Sequence, residues 1–274
     1  MTIPSGRLNS RTGSGLAHTL FQRVLCGVDS TPQSLAVVRQ AAQLRATEGD
    51  LTIIGALDSG STAQAGWAAT QANAALRAEA ELALAAARAE VSDAAFRLVE
   101  GRPDRVLIAE AKRSDATLMA VGTHGISRPI GIALGSVTTV VVHEAPCSVL
   151  VARERPGTED LPRSLIVGID GSPESAAAVG VAFALAERFE IEARLLAVRD
   201  GKDFDQSAVS AIAEDVSLED GKPVETLVAA AEPSDLLIVG SRGLHGIRAL
   251  GSVSERVAHK ARCSVLVVRP PKAL

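Results

Sequence analysis

Short apolar runs alternate along the chain with longer stretches of helical periodicity, the pattern of strands separated by helical crossovers. The first run, Gln22 to Val28 (QRVLCGV), ends at Asp29-Ser30-Thr31-Pro32. An apolar run followed by Asp/Ser/Thr and then Pro predicts a strand handing over to a capped helix, here over Ser34 to Thr47 and closed by Gly49-Asp50. Leu51 to Leu57 (LTIIGAL) reads as the second strand and Ser59 to Gly66 as a Gly/Ser-rich loop. Trp67 to Ser92 is Ala-rich, with Arg77, Glu79, Glu81, Arg88 and Glu90 interspersed, and predicts a long helix. A third strand near Phe96 to Val99, a helix over Pro103 to Arg113 and a fourth strand over Ala116 to Val121 complete this series.

A glycine-rich loop, Gly122 to Ser136 (GTHGISRPIGIALGS), starts where the fourth strand ends. Ser136 to His143 carries the β-branched run VTTVVV, whose propensity favours a strand. Gly135-Ser136 as a cap and Glu144-Ala145-Pro146 as a stop predict a helix instead, followed by a fifth strand, Ser148 to Ala152.

The same series then starts again. SLIVGID at Ser164 to Asp170 matches RVLCGVD, LLAVRD at Leu195 to Asp200 matches IIGALD, and DLLIVGSRG matches TLMAVGTHG. The closing segments align without a gap, GSVTTVVVHEAPCSVLVAR against GSVSERVAHKARCSVLVVR. Gly122 follows Asp29 by 93 residues, whereas Gly240 follows Asp170 by only 70. Most of the loss falls where the Ala-rich helix has only a short counterpart near Asp205 to Asp215.

Each repeat is therefore expected to be α/β, a five-stranded parallel open sheet in the order 3-2-1-4-5 with helices on both faces. The boundaries expected are a disordered tail over residues 1–20, a first domain over 21–153, a linker over 154–163 and a shortened second domain over 164–270.

Composition narrows the function. Lys and Arg number 28 against 32 Asp and Glu, a net charge of −4 with no basic block, which argues against nucleic acid as a partner. Five Phe, one Trp and no Tyr leave no aromatic platform for single strands, so the core must be aliphatic. Cys26, Cys147 and Cys263 form no CxxC pair and sit in or beside apolar runs, as buried hydrophobes do. The sparse, odd cysteine count, the lack of an apolar h-region near the start and the lack of a run of membrane-spanning length lead us to expect a cytoplasmic protein.

In an open parallel sheet, ligands bind beyond the carboxyl ends of the strands where strand order reverses. Asp29 and the glycine loop both lie at such ends, and strands one and four as neighbours would bring them to one crevice. Gly122, Gly125 and Gly135 let the backbone approach a phosphate, and Ser136 would cap the following helix and bond an anionic oxygen. Asp29 would bond a ribose hydroxyl or help hold a cation. The plainer alternatives are a turning loop and a helix-capping aspartate. Arg128 and Arg242 lie within the glycine loops and either pair with phosphate or are ordinary surface arginines. There is no GK[ST], HExxH or Cys/His cluster. His124, Asp29 and Ser136 could be assembled into a hydrolase-like trio, but no nucleophile elbow accompanies them.

Gly122-x2-Gly125-x9-Gly135-Ser136, preceded by the strand-borne aspartate of CGVD, resembles the nucleotide-binding pattern of the universal stress protein family in tandem form, over residues 21–270. The resemblance implies ATP, with adenine near the end of the second strand against Ala56 or Val198. It places ribose and a nucleotide-bound Mg²⁺ at Gly27 and Asp29, or at Gly168 and Asp170. Phosphates would lie on the glycine loops, at Gly122, Gly125, Arg128, Gly135, Ser136 and Val137 or at Gly240, Arg242, Gly243, Gly251 and Ser252. It further implies an internal pseudo-dimer through the fifth strands, and allows a homodimer. The second loop departs from the pattern, with seven residues between Gly243 and Gly251 where the first has nine between Gly125 and Gly135.

The function expected from the resemblance is an ATP-binding stress-response regulator or sensor, with at most slow ATP hydrolysis. An enzyme remains an alternative, since CGVDS loosely resembles the SGGxDS loop of ATP pyrophosphatases, although Val28 replaces its second glycine. A nucleotide-free interaction scaffold is the other, more readily for the second repeat.

Overall fold

The computed structural model describes residues 20–60, 69–123, 134–154, 162–201, 204–231, 236–241 and 252–270. Contacts divide the chain into two compact units, one over Phe21–Pro156 and the other including Gly157–Leu274. The tail expected over residues 1–20 lies outside the described residues except for Leu20, and most of the linker lies outside them as well.

The first unit runs β1 (Arg23–Val28), α1 (Gln33–Leu44), β2 (Asp50–Leu57), α2 (Ala69–Glu90), β3 (Ala95–Glu100), α3 (Pro103–Arg113), β4 (Leu118–Gly122), α4 (Ser136–Glu144) and β5 (Ser148–Ala152). All pairings are parallel: β3 with β2, β2 with β1, β1 with β4 and β4 with β5, the order 3-2-1-4-5. Every parallel pair needs a crossover, and the helices supply it. Right-handed crossovers change face when the chain reverses direction across the sheet. Accordingly α1 packs beside α2, and α3 beside α4.

The core is aliphatic. β4 is buried from Leu118 to Val121 and β5 throughout, so both read as continuous apolar runs, as expected of a sheet covered on both faces. The run VTTVVV is helical within α4. Its helix buries only Thr138, Val141 and Val142, because the tertiary fold outweighs β-propensity here.

The second unit repeats the plan: β6 (Ser164–Ile169), α5 (Pro173–Phe189), β7 (Glu192–Arg199), α6 (Gln206–Ile212), β8 (Val216–Asp220), α7 (Pro223–Ala231), β9 (Leu236–Gly240), α8 (Ser252–Lys260) and β10 (Ser264–Val268). β7 pairs with β8 and β6, β6 with β9, and β9 with β10, all parallel. Most of the shortening falls in the β7–β8 crossover, where the 7 residues of α6 stand in for the 22 of α2.

Cys26, Cys147 and Cys263 are all free thiols and buried. Burial pushes the Cys26 thiol up to about 12, which removes it as a nucleophile at neutral pH.

Candidate functional site

The neighbouring strands β1 and β4 diverge at their carboxyl ends, since α1 leaves on one face and α4 on the other. A cavity of about 490 Å³ opens there. Of the residues singled out in the first repeat, Gly27, Asp29, Ala56, Gly122, Gly135, Ser136 and Val137 all line it. Gly125 and Arg128 lie outside the described residues, as does His124.

Asp29 is held by its own turn. Its Oδ1 accepts from the Thr31 N–H at 3.0 Å, the Thr31 hydroxyl at 2.5 Å and the Ser34 hydroxyl at 2.8 Å. The Ser34 Oγ in turn accepts the Asp29 N–H at 2.9 Å. All three side-chain bonds converge on one oxygen, so Oδ2 keeps its lone pairs free of the described protein groups. This corrects the expectation of a capped helix start. Pro32 occupies the cap position of α1 with no side-chain bond, and the aspartate closes a turn instead.

A second correction concerns Ser136. The cap of α4 is Gly135, in extended conformation at φ −65° and ψ 161°, and no side chain caps that helix. Ser136 is then the first helical residue, one position too far in for its hydroxyl to reach back over the first turn. It stands exposed on the cavity rim, and among the described residues no side chain caps the first amides of α4.

The opposite wall is apolar. Ile54 and Leu57 come from β2, Leu76 and Ala80 from α2, and Leu107 from α3. Gly27 gives this wall its depth, because a Cβ there would stand 2.8 Å from Leu107 Cδ1. Asp58 and Glu79 add two carboxylates to the lining. Sequence reading missed Ser34, Thr31, Thr138 and the α2 residues. A serine five places after the aspartate, a threonine two places after it and a threonine among valines were the available signals for the first three. In a helix that is alanine on nearly every face, nothing marks Leu76 or Glu79.

The second repeat is built differently at the same places. Asp170 is exposed, and its Oδ1 accepts from the Ser172 N–H at 3.0 Å and hydroxyl at 2.5 Å. Here Ser172 does cap its helix, accepting the Ser175 N–H at 3.2 Å. Ser30 is replaced by Gly171 at φ +84°, where a Cβ would stand 2.8 Å from Ala208 Cβ. Helix α6 thus lies directly on the turn whose counterpart, Asp29 to Thr31, faces the cavity in the first repeat. Gly168, Val198 and Gly240 are partly exposed near the strand ends. Arg242, Gly243 and Gly251 lie outside the described residues, and Ser252 begins α8.

A sequence model described as the universal stress protein family matches residues 20–153 and 208–269. The chain belongs to the universal stress protein family. Among curated relatives, a universal stress protein of Mycobacterium tuberculosis is 32% identical over 186 residues, 57% of this chain and 62% of that protein. One of Mycobacterium bovis is 33% identical over 188 residues, 57% of this chain and 63% of that protein. The chain therefore spans less than two thirds of the length of these relatives. A crystal structure of a universal stress protein from Archaeoglobus fulgidus matches at a TM-score of 0.63 and 16% identity, over 90% of this chain and 98% of that one. At that identity the match speaks for the fold, which both units of this chain adopt.

Proposed function

We propose that the first repeat binds ATP and that the protein works as a nucleotide-responsive regulator. The observation that carries this reading is the convergence of Gly27, Asp29, Ala56 and both ends of the glycine loop on one cavity at the switch point of the sheet. The apolar wall of Ile54, Leu57, Leu76, Ala80 and Leu107 suits a base, with Ala56 offering backbone groups at its edge. The free Oδ2 of Asp29 suits a ribose hydroxyl. The uncapped first turn of α4 suits phosphate oxygens, since helical N–H groups and the positive end of the dipole favour an anion.

Mg²⁺ fits this arrangement only as a passenger of the nucleotide. Among the described residues no three His, Cys, Asp or Glu side chains come together as a metal site. Asp29 would hold it through Oδ2 as the alternative to a ribose hydroxyl, and the ion would offset the charge of phosphates near Asp29, Asp58 and Glu79. The described lining consists of hydroxyls, carboxylates, the Gln33 carboxamide and apolar groups, which bind and orient. This favours a binder over an ATP-pyrophosphatase-like enzyme. For the second repeat, the packing of α6 on Gly171 favours a scaffold role without nucleotide.

No described helix is long and apolar enough to cross a membrane. Isothermal titration of the full chain with MgATP tests the reading. One binding event is expected, and it should disappear in Asp29→Ala. Binding that ignores this substitution, or no uptake at millimolar ATP, would overturn it.

A further inference from the structure

The glycine loop leaves the sheet and returns to it through a narrow neck. The Gly135 N–H donates to the Thr123 carbonyl at 2.6 Å. The Thr138 hydroxyl donates to the Gly122 carbonyl, also at 2.6 Å. Gly122 is the last residue of β4 and Thr138 the third of α4, so the second bond joins strand end to helix start directly.

A threonine in the first turn of a helix ordinarily turns its hydroxyl to its own helix or to water. Thr138 does neither, being 4% exposed with its proton committed to the strand. The gap-free alignment of the repeats puts Ser254 at this position, and it too is 4% exposed. The two following residues differ completely, Thr139-Val140 against Glu255-Arg256. A buried hydroxyl is thus kept where the less buried residues beside it are not.

We propose that Thr138 is a positioning residue for the phosphate end of the ligand, clamping the neck so that the first amides of α4 stand at a fixed distance from β4 and Asp29. The proposal rests on the nucleotide reading of the cavity. Its physical basis is preorganisation, because a loop pinned before binding spends less of the binding energy on being ordered. Valine at this position has nearly the shape of threonine but no proton to donate. Thr138→Val would leave the Gly135–Thr123 bond as the only direct tie across the neck among those described.

The test compares wild type, Thr138→Val and Thr138→Ser as full chains, titrated with MgATP and with adenosine. We expect Thr138→Val to weaken ATP about tenfold, a change of ~1.4 kcal/mol. Adenosine affinity should stay within about twofold, since the base and ribose sites are untouched. Thr138→Ser should restore ATP binding. Equal losses for ATP and adenosine, or no loss for ATP, would overturn the proposal. Amide exchange at Gly135 in ligand-free protein judges the clamp independently of nucleotide, with exchange about tenfold faster expected in Thr138→Val. An unchanged Gly135 rate overturns the clamp, whereas a wild-type chain that takes up no ATP overturns the nucleotide reading and leaves the exchange result to decide the clamp.

Discussion

The Ser34 hydroxyl donates to Asp29 Oδ1 at 2.8 Å while accepting the Asp29 N–H at 2.9 Å, so one side chain fixes both the carboxylate and the backbone of the residue after β1. Ser34 is itself 8% exposed and moves only with helix α1. Ser34→Ala removes both bonds, each worth about 1 kcal/mol net. ATP affinity is expected to fall roughly tenfold, because Asp29 must then be ordered at the ligand's expense. Titration of the variant checks this, and unchanged affinity would show that Thr31 alone suffices to hold Asp29.

The two repeats are expected to differ in occupancy. Helix α6 covers the turn at Gly171, whereas the turn at Asp29 to Thr31 lines an open cavity. Equilibrium dialysis should find one nucleotide per chain. Asp170→Ala should leave that number unchanged and Asp29→Ala should bring it to zero. A second nucleotide lost on mutating Asp170 would show that the second crevice opens in solution.

Two glycines separate soft from hard contacts. A Cβ on Gly27 would meet the Leu107 side-chain end at 2.8 Å, a group that can rotate away. On Gly240 it would meet the backbone carbon and oxygen of Glu174 at 2.6 Å, which cannot yield without moving α5. Gly240→Ala should therefore cost about 2–3 kcal/mol and Gly27→Ala about 1 or less. Denaturant unfolding, read with amide exchange in each repeat, measures both. Comparable costs would mean that α5 shifts as easily as a leucine.

Acid should weaken the first repeat through Glu110. Its Oε2 accepts from Arg113 at 2.9 and 2.7 Å and also pairs with Arg97. The hydrogen bond from Arg113, aided by the nearby Arg97 charge, holds the carboxyl below its usual value of 4.5. A lowered native pKa means that the unfolded chain takes up the proton first. The stabilisation is therefore complete above about pH 4.5 and is lost as pH falls through the native value. Glu110→Gln should cost ~1 kcal/mol at pH 7, and the difference from wild type should vanish in strong acid. Thermal unfolding across pH tests the sign, since a gap that widened in acid would contradict it.

Much of this architecture is legible in the sequence, and particular residues show why. Pro103–Arg113 and Ser148–Ala152 begin and end where their prolines, polar residues and apolar runs say they should. The helical state of VTTVVV had to be read from the signals that flank it, because local propensity points the other way. Asp29 and the glycines were visible because a fixed spacing marks them. Ser34 and Thr138 were not, because a single hydroxyl carries no spacing signal and acquires meaning only when the fold brings it to a carboxylate or a carbonyl. The cap at Ser136 failed by one residue, a shift that depends on the extended backbone of Gly135. The missing residues of the second repeat were countable, but that α6 would settle on Gly171 is a matter of packing.

Helix α2 has 22 residues, of which only Ala87 is fully buried, and Leu82 stands 70% exposed. Yet Leu76, Glu79 and Ala80 of this helix form one side of the cavity. A wall fastened by so little buried surface sits at the low end of the local stability range. On the nucleotide reading proposed above, a bound molecule would then leave by the side that α2 closes, at a rate set by opening of that helix and separate from the grip on its charged end.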